Sequence, residues 1–296
     1  MGLLTHRAAE RPGGGPFFLC TGPPRLYDSG WRAAPRRESE GPNVTQPVVA
    51  MQLYTLRKEC AEDFFGTLEK VADLGYPAVQ VSGLHGRKAR DIGRVMADLG
   101  LGSAGTHVGL DMLEKDFSAA VDMVKDLGTE WAIVPWLPEE RRKTADDWRA
   151  LAKVMTGLGA KLREEGLRLA YHNHSFEFQK FEGKYAYDLF YDAVDPALVH
   201  NEIDTYWVKH GGADPVAYLR KFAGHIQVTH LKDMGPGDAR PMVPVGTGIL
   251  DWPGILKACK AGGTEWLCVE QDECAPLTTW EAARISLENL TAWGLV

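Results

Sequence analysis

The sequence predicts an α/β fold, a (β/α)8 TIM barrel with a disordered N-terminal extension, and two observations support it. From residue 48 onward, eight short β-prone segments alternate with helical patterns, which fill most of the seven intervals between them. These intervals carry no antiparallel-hairpin signals, so the strands are expected to run parallel. An open doubly wound sheet shows a similar alternation, but a count of eight strands favours the closed barrel.

The predicted strands are short apolar segments, and several are followed directly by a polar side chain. In chain order they span residues 48–53, 78–82, 102–108, 131–135, 167–171, 199–204, 226–231 and 266–270. In a barrel of parallel strands, the carboxyl ends converge on one face, so the polar side chains at these ends are expected to meet there.

Four predicted helices end at a glycine shortly before the next strand, and a glycine there is a common helix-stop signal. These helices span residues 62–74, 87–99, 116–127 and 144–165. Three later helices are predicted over residues 214–222, 252–261 and 280–293. Their apolar residues recur on one face, as expected for helices that pack around a barrel.

Residues 1–46 differ in composition from the rest of the chain. They contain seven Gly and six Pro, and their only apolar run covers residues 16–19. Such a segment buries too little apolar surface to offset chain entropy, so we expect it to be disordered. An alternative is that translation starts near Val44, which would make the upstream residues non-native. Residues 47–296 are expected to form the barrel as one domain.

Charge and cysteine content limit the partners and the compartment. The chain has 33 Lys and Arg against 40 Asp and Glu, a net charge of −7, which argues against general binding to nucleic acid or anionic membranes. No stretch approaches the apolar length of a membrane span. Five cysteines without CxxC spacing suggest neither a disulfide framework nor a thiolate zinc site. A reducing cytoplasm fits best, and a homo-oligomer is compatible with the sequence.

The segment YHNHSFEF, residues 171–178, is the richest in functional side chains. It places His172, His174 and Glu177 at the end of one predicted strand. Three other strand ends supply polar groups, namely Asp204, His230 and Glu270. Nitrogen and oxygen ligands converging on one face suit one divalent ion such as Mn²⁺, Co²⁺, Zn²⁺ or Mg²⁺.

Five segments together resemble the xylose-isomerase-like TIM barrels, a superfamily of sugar isomerases, ketose 3-epimerases, inosose dehydratases and, more distantly, endonuclease IV. The segments are YHNHSFEF (171–178), NEIDTYW (201–207), HLKD (230–233), GTGILDW (246–252) and VEQDE (269–273). The resemblance covers the chain from about residue 48 to its end. It implies a barrel enzyme that acts on a small sugar or keto-sugar.

The resemblance also implies a metal site made by a Glu, an Asp, a His and a second Glu. The last three ligands correspond to Asp204, His230 and Glu270. At the first position this chain departs from the pattern, because counting from the helix-ending glycine reaches His172 instead of a glutamate. Either Glu177 reaches back to the ion or His172 takes the position, and we assign the ligand to Glu177.

The chemistry that these groups suit is proton transfer next to a carbonyl. An enediolate stabilised by a divalent ion can be reprotonated, and Glu177 and Glu270 are the predicted acid–base pair. Lys232 is predicted to hold a substrate oxygen or protonate a leaving group, its alternative being a surface lysine paired with Asp233. The primary hypothesis is a sugar isomerase or epimerase. A dehydratase or lyase acting on an inosose or 3-keto-glycoside and a catalytically silent sugar-binding subunit are the alternatives.

Six residues are predicted to contact the substrate. Aromatic faces suit the C–H-rich surfaces of sugars, and the remaining side chains lie at predicted strand ends. The six are His172, His174, Trp207, Gln52, His107 and Trp136. GTGILDW contains GxG but no GxGxxG after a strand, so dinucleotide binding is not supported. A repair endonuclease is disfavoured because it would need three metals and a basic groove.

Overall fold

Eight parallel strands close into a barrel in the computed structural model, which describes residues 46–296. Each strand pairs with its neighbours in chain order, and the last pairs with the first. The strands are β1 Val48–Gln52, β2 Ala78–Val81, β3 Gly102–His107, β4 Trp131–Val134, β5 Arg168–His172, β6 Val199–Asp204, β7 Ile226–Leu231 and β8 Trp266–Val269. The predicted (β/α)8 fold is confirmed, and every predicted strand overlaps an observed one.

Eleven α-helices surround the barrel in the described part of the chain. They are α1 Arg57–Glu62, α2 Phe64–Leu74, α3 Ala89–Asp98, α4 Leu110–Lys115, α5 Phe117–Asp126, α6 Ala145–Glu164, α7 Ala186–Tyr191, α8 Thr205–His210, α9 Pro215–Lys221, α10 Trp252–Gly262 and α11 Thr279–Ala292. All seven predicted helices are present. The four that were missed, α1, α4, α7 and α8, have six residues each, too few for a helical period to show in the sequence.

The helix ends follow from local side-chain chemistry. Helix α6 begins at a capping box in which the Thr144 side chain accepts from the backbone N–H of Asp147 and the Asp147 side chain accepts from that of Thr144. Gly75 follows α2 with a φ of 100°, a left-handed conformation that glycine adopts without a Cβ penalty. These signals fix where each helix gives way to the next strand.

Two short antiparallel pairs correct the expectation that hairpins are absent. Residues 180–181 pair with 184–185, and residues 233–234 pair with 242–243. The first turns through Glu182 and Gly183, both with positive φ. Ladders of two residues are too short to produce an alternating pattern, so they could not be predicted. Both pairs lie in loops that follow barrel strands, after β5 and after β7.

The barrel interior is layered, with an apolar floor beneath polar side chains. Small residues dominate the floor and leave room for the indole of Trp131. Its buried members are Ala50, Ala78, Ala104, Trp131, Ile133, Ala170, Val228 and Cys268. Because this floor fills the lower barrel, polar side chains gather only toward the carboxyl ends of the strands.

The predicted N-terminal extension, residues 1–46, lies outside the described residues except for Gln46. The Gln46 side chain donates a hydrogen bond to the carbonyl oxygen of Gly294, at 2.8 Å. From residue 46 to the end, the chain forms no helix that is both long and apolar enough to cross a membrane. The cysteines in this range are buried and free of disulfides; they are Cys60, Cys259, Cys268 and Cys274.

Candidate active site

The polar end of the barrel is built by side chains that point inward from the ends of β6, β7 and β8. Side chains two residues apart on a strand point to the same side. Glu202 and Asp204 therefore share the interior on β6, as His230 and Lys232 do at the end of β7. Asp204 lies directly beside His230 across the β6–β7 pairing. The strands thus bring residues that are far apart in sequence within contact distance.

Four buried side chains form a group that could hold a metal ion, here called the upper cluster. Its members are His172, Asp204, His230 and Glu270, and one ligand atom from each lies within 4.8 Å of the others. Two imidazole nitrogens and two carboxylate oxygens suit a first-row divalent ion. The structure therefore brings together three of the predicted ligands, with His172 as the fourth.

Two buried side-chain atoms of the upper-cluster residues lack hydrogen-bond partners, which fits a role in metal coordination. Oδ2 of Asp204 is buried and accepts no hydrogen bond, although Nζ of Lys232 lies 3.2 Å away. Nδ1 of His172 is also buried and unpartnered. Buried polar atoms without partners are costly, and a divalent ion coordinated there would satisfy both residues.

Lys232 is the cation of this site in the structure, and it is only 1 % exposed. Its ammonium lies 2.9 Å from Oε2 of Glu270 and 3.0 Å from both carboxylate oxygens of Asp272. Burial alone would lower the pKa of Lys232, but the surrounding carboxylates outweigh burial and hold the pKa well above its ordinary value. The alternative of a surface lysine paired with Asp233 is therefore wrong.

Asp233 instead organises the loop that contains GTGILDW. Its buried carboxylate accepts hydrogen bonds from the backbone N–H of Gly246 at 3.0 Å and of Gly248 at 2.9 Å, and from the indole N–H of Trp252 at 2.7 Å. A Cβ on Gly248 would lie 2.3 Å from the carbonyl oxygen of Met234, so only glycine fits there. The motifs HLKD and GTGILDW are thus two parts of one loop structure.

Glu177 lies apart from the metal-capable residues. Its Oε1 accepts from the Tyr171 hydroxyl at 2.5 Å, and its Oε2 accepts from the backbone N–H of His174 at 2.8 Å. Tyr171 packs against Phe190 of α7, on the helix side of β5. Burial raises the pKa of Glu177 to about 8, against the opposing effect of these hydrogen bonds. The assignment of Glu177 as ligand and base stays a prediction, and the geometry favours His172.

His174 and Trp207 form one wall above the upper cluster. Their ring centroids are 5.5 Å apart, and Nζ of Lys232 lies 5.6 Å from the Trp207 centroid. Burial, followed by the neighbouring His172 and Lys232, lowers the pKa of His174 to about 2, so its imidazole is neutral. Nδ1 of His174 and Nε1 of Trp207 are buried and have no hydrogen-bond partners in the structure.

The other predicted substrate residues occupy two different environments. Trp136 follows β4 and is 51 % exposed. Gln52 is fully buried, where its Oε1 accepts from the backbone N–H of Tyr54 and its amide donates to Gln80. His107 lies beside Gln52, with its Nδ1 3.3 Å from the Ser82 hydroxyl. Gln52 and His107 therefore belong to a polar layer inside the barrel, beneath the upper cluster.

A second metal-capable group lies in this layer and is called here the lower cluster. It consists of His107, His172, Glu202 and His230, so it shares two histidines with the upper cluster. Oε2 of Glu202 lies 3.1 Å from Nε2 of His107 and 3.0 Å from Nδ1 of His172. Oε1 of Glu202 lies 3.2 Å from Nε2 of His230. The Glu202 carboxylate thus lies between three imidazole rings.

Burial and neighbouring charges together set the protonation of the residues in both clusters. Burial would raise the pKa of Glu202, but the neighbouring histidines hold it well below its ordinary value. Burial would lower the pKa of His230, but Glu202 and Glu270 outweigh it and raise the pKa to about 10. Burial, helped by the charge of His230, lowers the pKa of His172 to about 4. With these pKa values, His172 is neutral and His230 is positively charged near pH 7.

Sequence reasoning missed three residues of this site, namely Gln80, Glu202 and Asp272. Two of them could have been found from the two-residue alternation of side chains along an extended chain. Glu202 precedes Asp204 by two residues, and Asp272 follows Glu270 by two. Each therefore lies on the same side of the chain as a predicted ligand. Gln80 carried no signal, because an amide in an apolar strand points to no particular chemistry.

Comparison with known proteins places most of the chain in one family. A family model described as xylose isomerase-like TIM barrel matches residues 68–292. An inosose dehydratase from Geobacillus kaustophilus is 29 % identical over 189 residues, which cover 56 % of this chain and 61 % of the relative. One from Clostridium tetani is 33 % identical over 101 residues, covering 34 % of this chain and 33 % of the relative. The chain thus matches less than two thirds of either relative's length.

Solved structures share the fold at low sequence identity. A sugar phosphate isomerase/epimerase from Parabacteroides distasonis superposes with a TM-score of 0.73 at 24 % identity, covering 89 % of this chain and 100 % of that chain. An IOLI protein with a binding zinc atom gives a TM-score of 0.66 at 17 % identity, covering 84 % and 98 %. At these identities the likeness shows the barrel fold alone.

Proposed function

Since this chain belongs to the xylose isomerase-like TIM barrel family, we propose that it is a metal-dependent enzyme that removes a proton next to the carbonyl of a keto-sugar or inosose. The reaction that the geometry supports best is β-elimination, the loss of water or of an alcohol. One observation carries this choice. A neutral imidazole, His174, and a protonated amine, Lys232, flank the Trp207 ring beside the upper cluster.

The upper cluster is the proposed place of the ion, with His172, Asp204, His230 and Glu270 as its ligands. When bound, a divalent ion acts as a Lewis acid on the substrate carbonyl and stabilises negative charge that develops on its oxygen. The unpartnered Oδ2 of Asp204 supports this placement.

His174 and Lys232 are the proposed base and acid. His174 is neutral and takes the proton from the carbon next to the carbonyl. The electron pair left on that carbon forms a double bond to the β-carbon, whose bond to oxygen breaks. Lys232 gives its proton to the departing oxygen, so the products are an unsaturated ketone and water or an alcohol.

Elimination is favoured over epimerisation because epimerisation requires a proton carrier on each face of the substrate. The pair predicted from sequence was Glu177 and Glu270. The Glu177 carboxylate is engaged by the Tyr171 hydroxyl and the His174 backbone instead. The two relatives named inosose dehydratase also support elimination. An isomerase or epimerase is the second candidate, because Glu270 lies 2.9 Å from Lys232 and could exchange a proton with it.

The test uses the Mn²⁺-loaded protein with inososes, 3-keto-glycosides and ketoses in D₂O. Elimination predicts an unsaturated ketone, visible by its ultraviolet absorbance, and loss of water or alcohol by mass spectrometry. Lys232→Met should keep deuterium exchange at the α-carbon but lose elimination, whereas His174→Gln should lose both. Lys209→Met, at an exposed lysine on α8, is the matched control.

Two outcomes would contradict the proposal. Deuterium-labelled epimer without any eliminated product would support the epimerase instead. A protein that neither binds Mn²⁺ nor exchanges deuterium with any substrate of the panel would support the silent sugar-binding subunit.

A further inference from the structure

We propose that the lower cluster is a second metal position, which binds a nitrogen-preferring divalent ion such as Zn²⁺ inside the barrel. It consists of His107, His172, Glu202 and His230, whose ligand atoms lie within 4.8 Å of one another. It shares His172 and His230 with the upper cluster, and we propose that the two positions are filled one at a time. The inference concerns metal binding alone and does not depend on the reaction proposed above.

Glu202 supplies the first argument, since its carboxylate is fully buried and faces imidazole nitrogens on three sides. The three nitrogens are Nε2 of His107, Nδ1 of His172 and Nε2 of His230, at 3.0 to 3.2 Å from its oxygens. Nδ1 of His172 forms no hydrogen bond despite its 3.0 Å separation from Oε2. A buried ring nitrogen without a hydrogen-bond partner fits a metal ligand.

The remaining ring nitrogens of two histidines are already supported. Nδ1 of His107 lies 3.3 Å from the Ser82 hydroxyl, and Nδ1 of His230 lies 2.7 Å from Oε2 of Glu270. Metal-binding histidines usually donate their second ring N–H to such a group, which fixes the ring and its tautomer. The Nε2 atoms of His107 and His230 are thus directed at the lower cluster.

Lys232 supplies the second, independent argument. Its ammonium lies 3.2 Å from Oδ2 of Asp204 and 2.9 Å from Oε2 of Glu270, the two carboxylates of the upper cluster. An ion in the upper cluster must share these oxygens with Lys232. An ion in the lower cluster leaves both ion pairs intact, since neither Asp204 nor Lys232 belongs to it.

Ligand chemistry decides which ion takes which position. The lower cluster offers three imidazoles and one carboxylate, whereas the upper cluster offers two of each. Imidazole suits Zn²⁺, and carboxylates suit Mn²⁺ and Mg²⁺. Zn²⁺ is therefore expected in the lower position, beneath the reach of a substrate, and Mn²⁺ in the upper one.

The test compares Zn²⁺ and Mn²⁺ on the full chain. X-ray absorption at the zinc edge should show three imidazole ligands, because the lower cluster contains three histidines. Chelator competition should show that His107→Asn lowers the Zn²⁺ affinity by about tenfold or more while Mn²⁺ binding changes little. Asp204→Asn is the matched variant in the other cluster and should weaken Mn²⁺ but not Zn²⁺.

Three results would contradict a metal ion in the lower cluster. Two imidazoles at the zinc edge, or a Zn²⁺ affinity that falls with Asp204→Asn and not with His107→Asn, would overturn the lower site. The absorption measurement uses the unaltered protein, so it decides the matter even where a variant does not fold. Two Zn²⁺ ions bound per chain would also contradict the proposal, which has the two positions filled one at a time.

Discussion

The Glu177→Gln variant should gain stability relative to the wild type as pH rises from 5 to 8. Glu177 is fully buried, and its surroundings raise its pKa from an ordinary value of 4.5 to about 8. Between these two values the folded protein holds a proton that the unfolded chain has released. The unfolded state therefore binds fewer protons, and stability is lost as pH rises through this window.

The magnitude follows from the two pKa values. Each pH unit well inside this window costs about 1.4 kcal/mol, and the cost per unit falls near each pKa, so from pH 5 to pH 8 Glu177 should cost the wild type about 3 to 4 kcal/mol. Glutamine does not titrate and keeps the hydrogen bonds. Its carbonyl can accept from the His174 N–H, and its amide can donate to the Tyr171 hydroxyl oxygen. The advantage of Glu177→Gln should thus appear as pH rises.

The assay is urea denaturation of both proteins at pH 5 and pH 8, without added metal, with metal content determined separately. Glu69→Gln is the matched control, because Glu69 is exposed on α2. A raised pKa of Glu177 is refuted if the stability of Glu177→Gln relative to wild type is no greater at pH 8 than at pH 5. Loss of bound Mn²⁺ in Glu177→Gln would restore the sequence-based assignment of Glu177 as a ligand.

Three further predictions concern the metal ligands, the loop and the extension. Asp204→Asn and His172→Ala should each lower Mn²⁺ affinity by more than about tenfold in isothermal calorimetry, since the first removes the charge of a ligand and the second removes a ligand, and full occupancy in both would refute the upper cluster. Asp233→Ala should lower the free energy of unfolding in urea by at least about 2 kcal/mol, because it leaves buried N–H donors unpaired; an unchanged midpoint would contradict this role. Deleting residues 1–43 should leave the melting temperature nearly unchanged in calorimetry, given their low apolar content, and a drop of several degrees would show that they pack on the barrel.

The barrel could be predicted from sequence because its signals are local and repeated. Each strand is a short apolar run, and four helices stop at a glycine such as Gly75, whose positive φ the structure confirms. The short helices and the two-residue hairpins could not be predicted, since they are shorter than the periods that reveal such elements. Their positions depend on contacts with distant parts of the chain.

The candidate site was predictable only in part, for a related reason. Asp204, His230 and Glu270 follow apolar strands, so their convergence follows from the fold. Glu177 lies in the same motif as His172 and His174, and its assignment as ligand and base stays a prediction. A 3-10 turn at Phe176–Phe178 directs its carboxylate back to Tyr171 on the helix side of β5. Nothing in the spacing of residues shows on which side of a strand a loop side chain will lie.

Lys232 explains how the barrel can hold so many buried carboxylates before any ion binds. Asp204 and Glu270 belong to the upper cluster, and like charges within a few ångströms in a dry interior would repel strongly. The ammonium of Lys232 touches both and is also held by Asp272. The chain should therefore fold without metal. When an ion takes a share of Asp204 and Glu270, the two 3.0 Å contacts to Asp272 still hold the amine beside Trp207. Asp272 thus keeps the proposed proton donor in position in both states, which a lysine paired only with the metal ligands could not do.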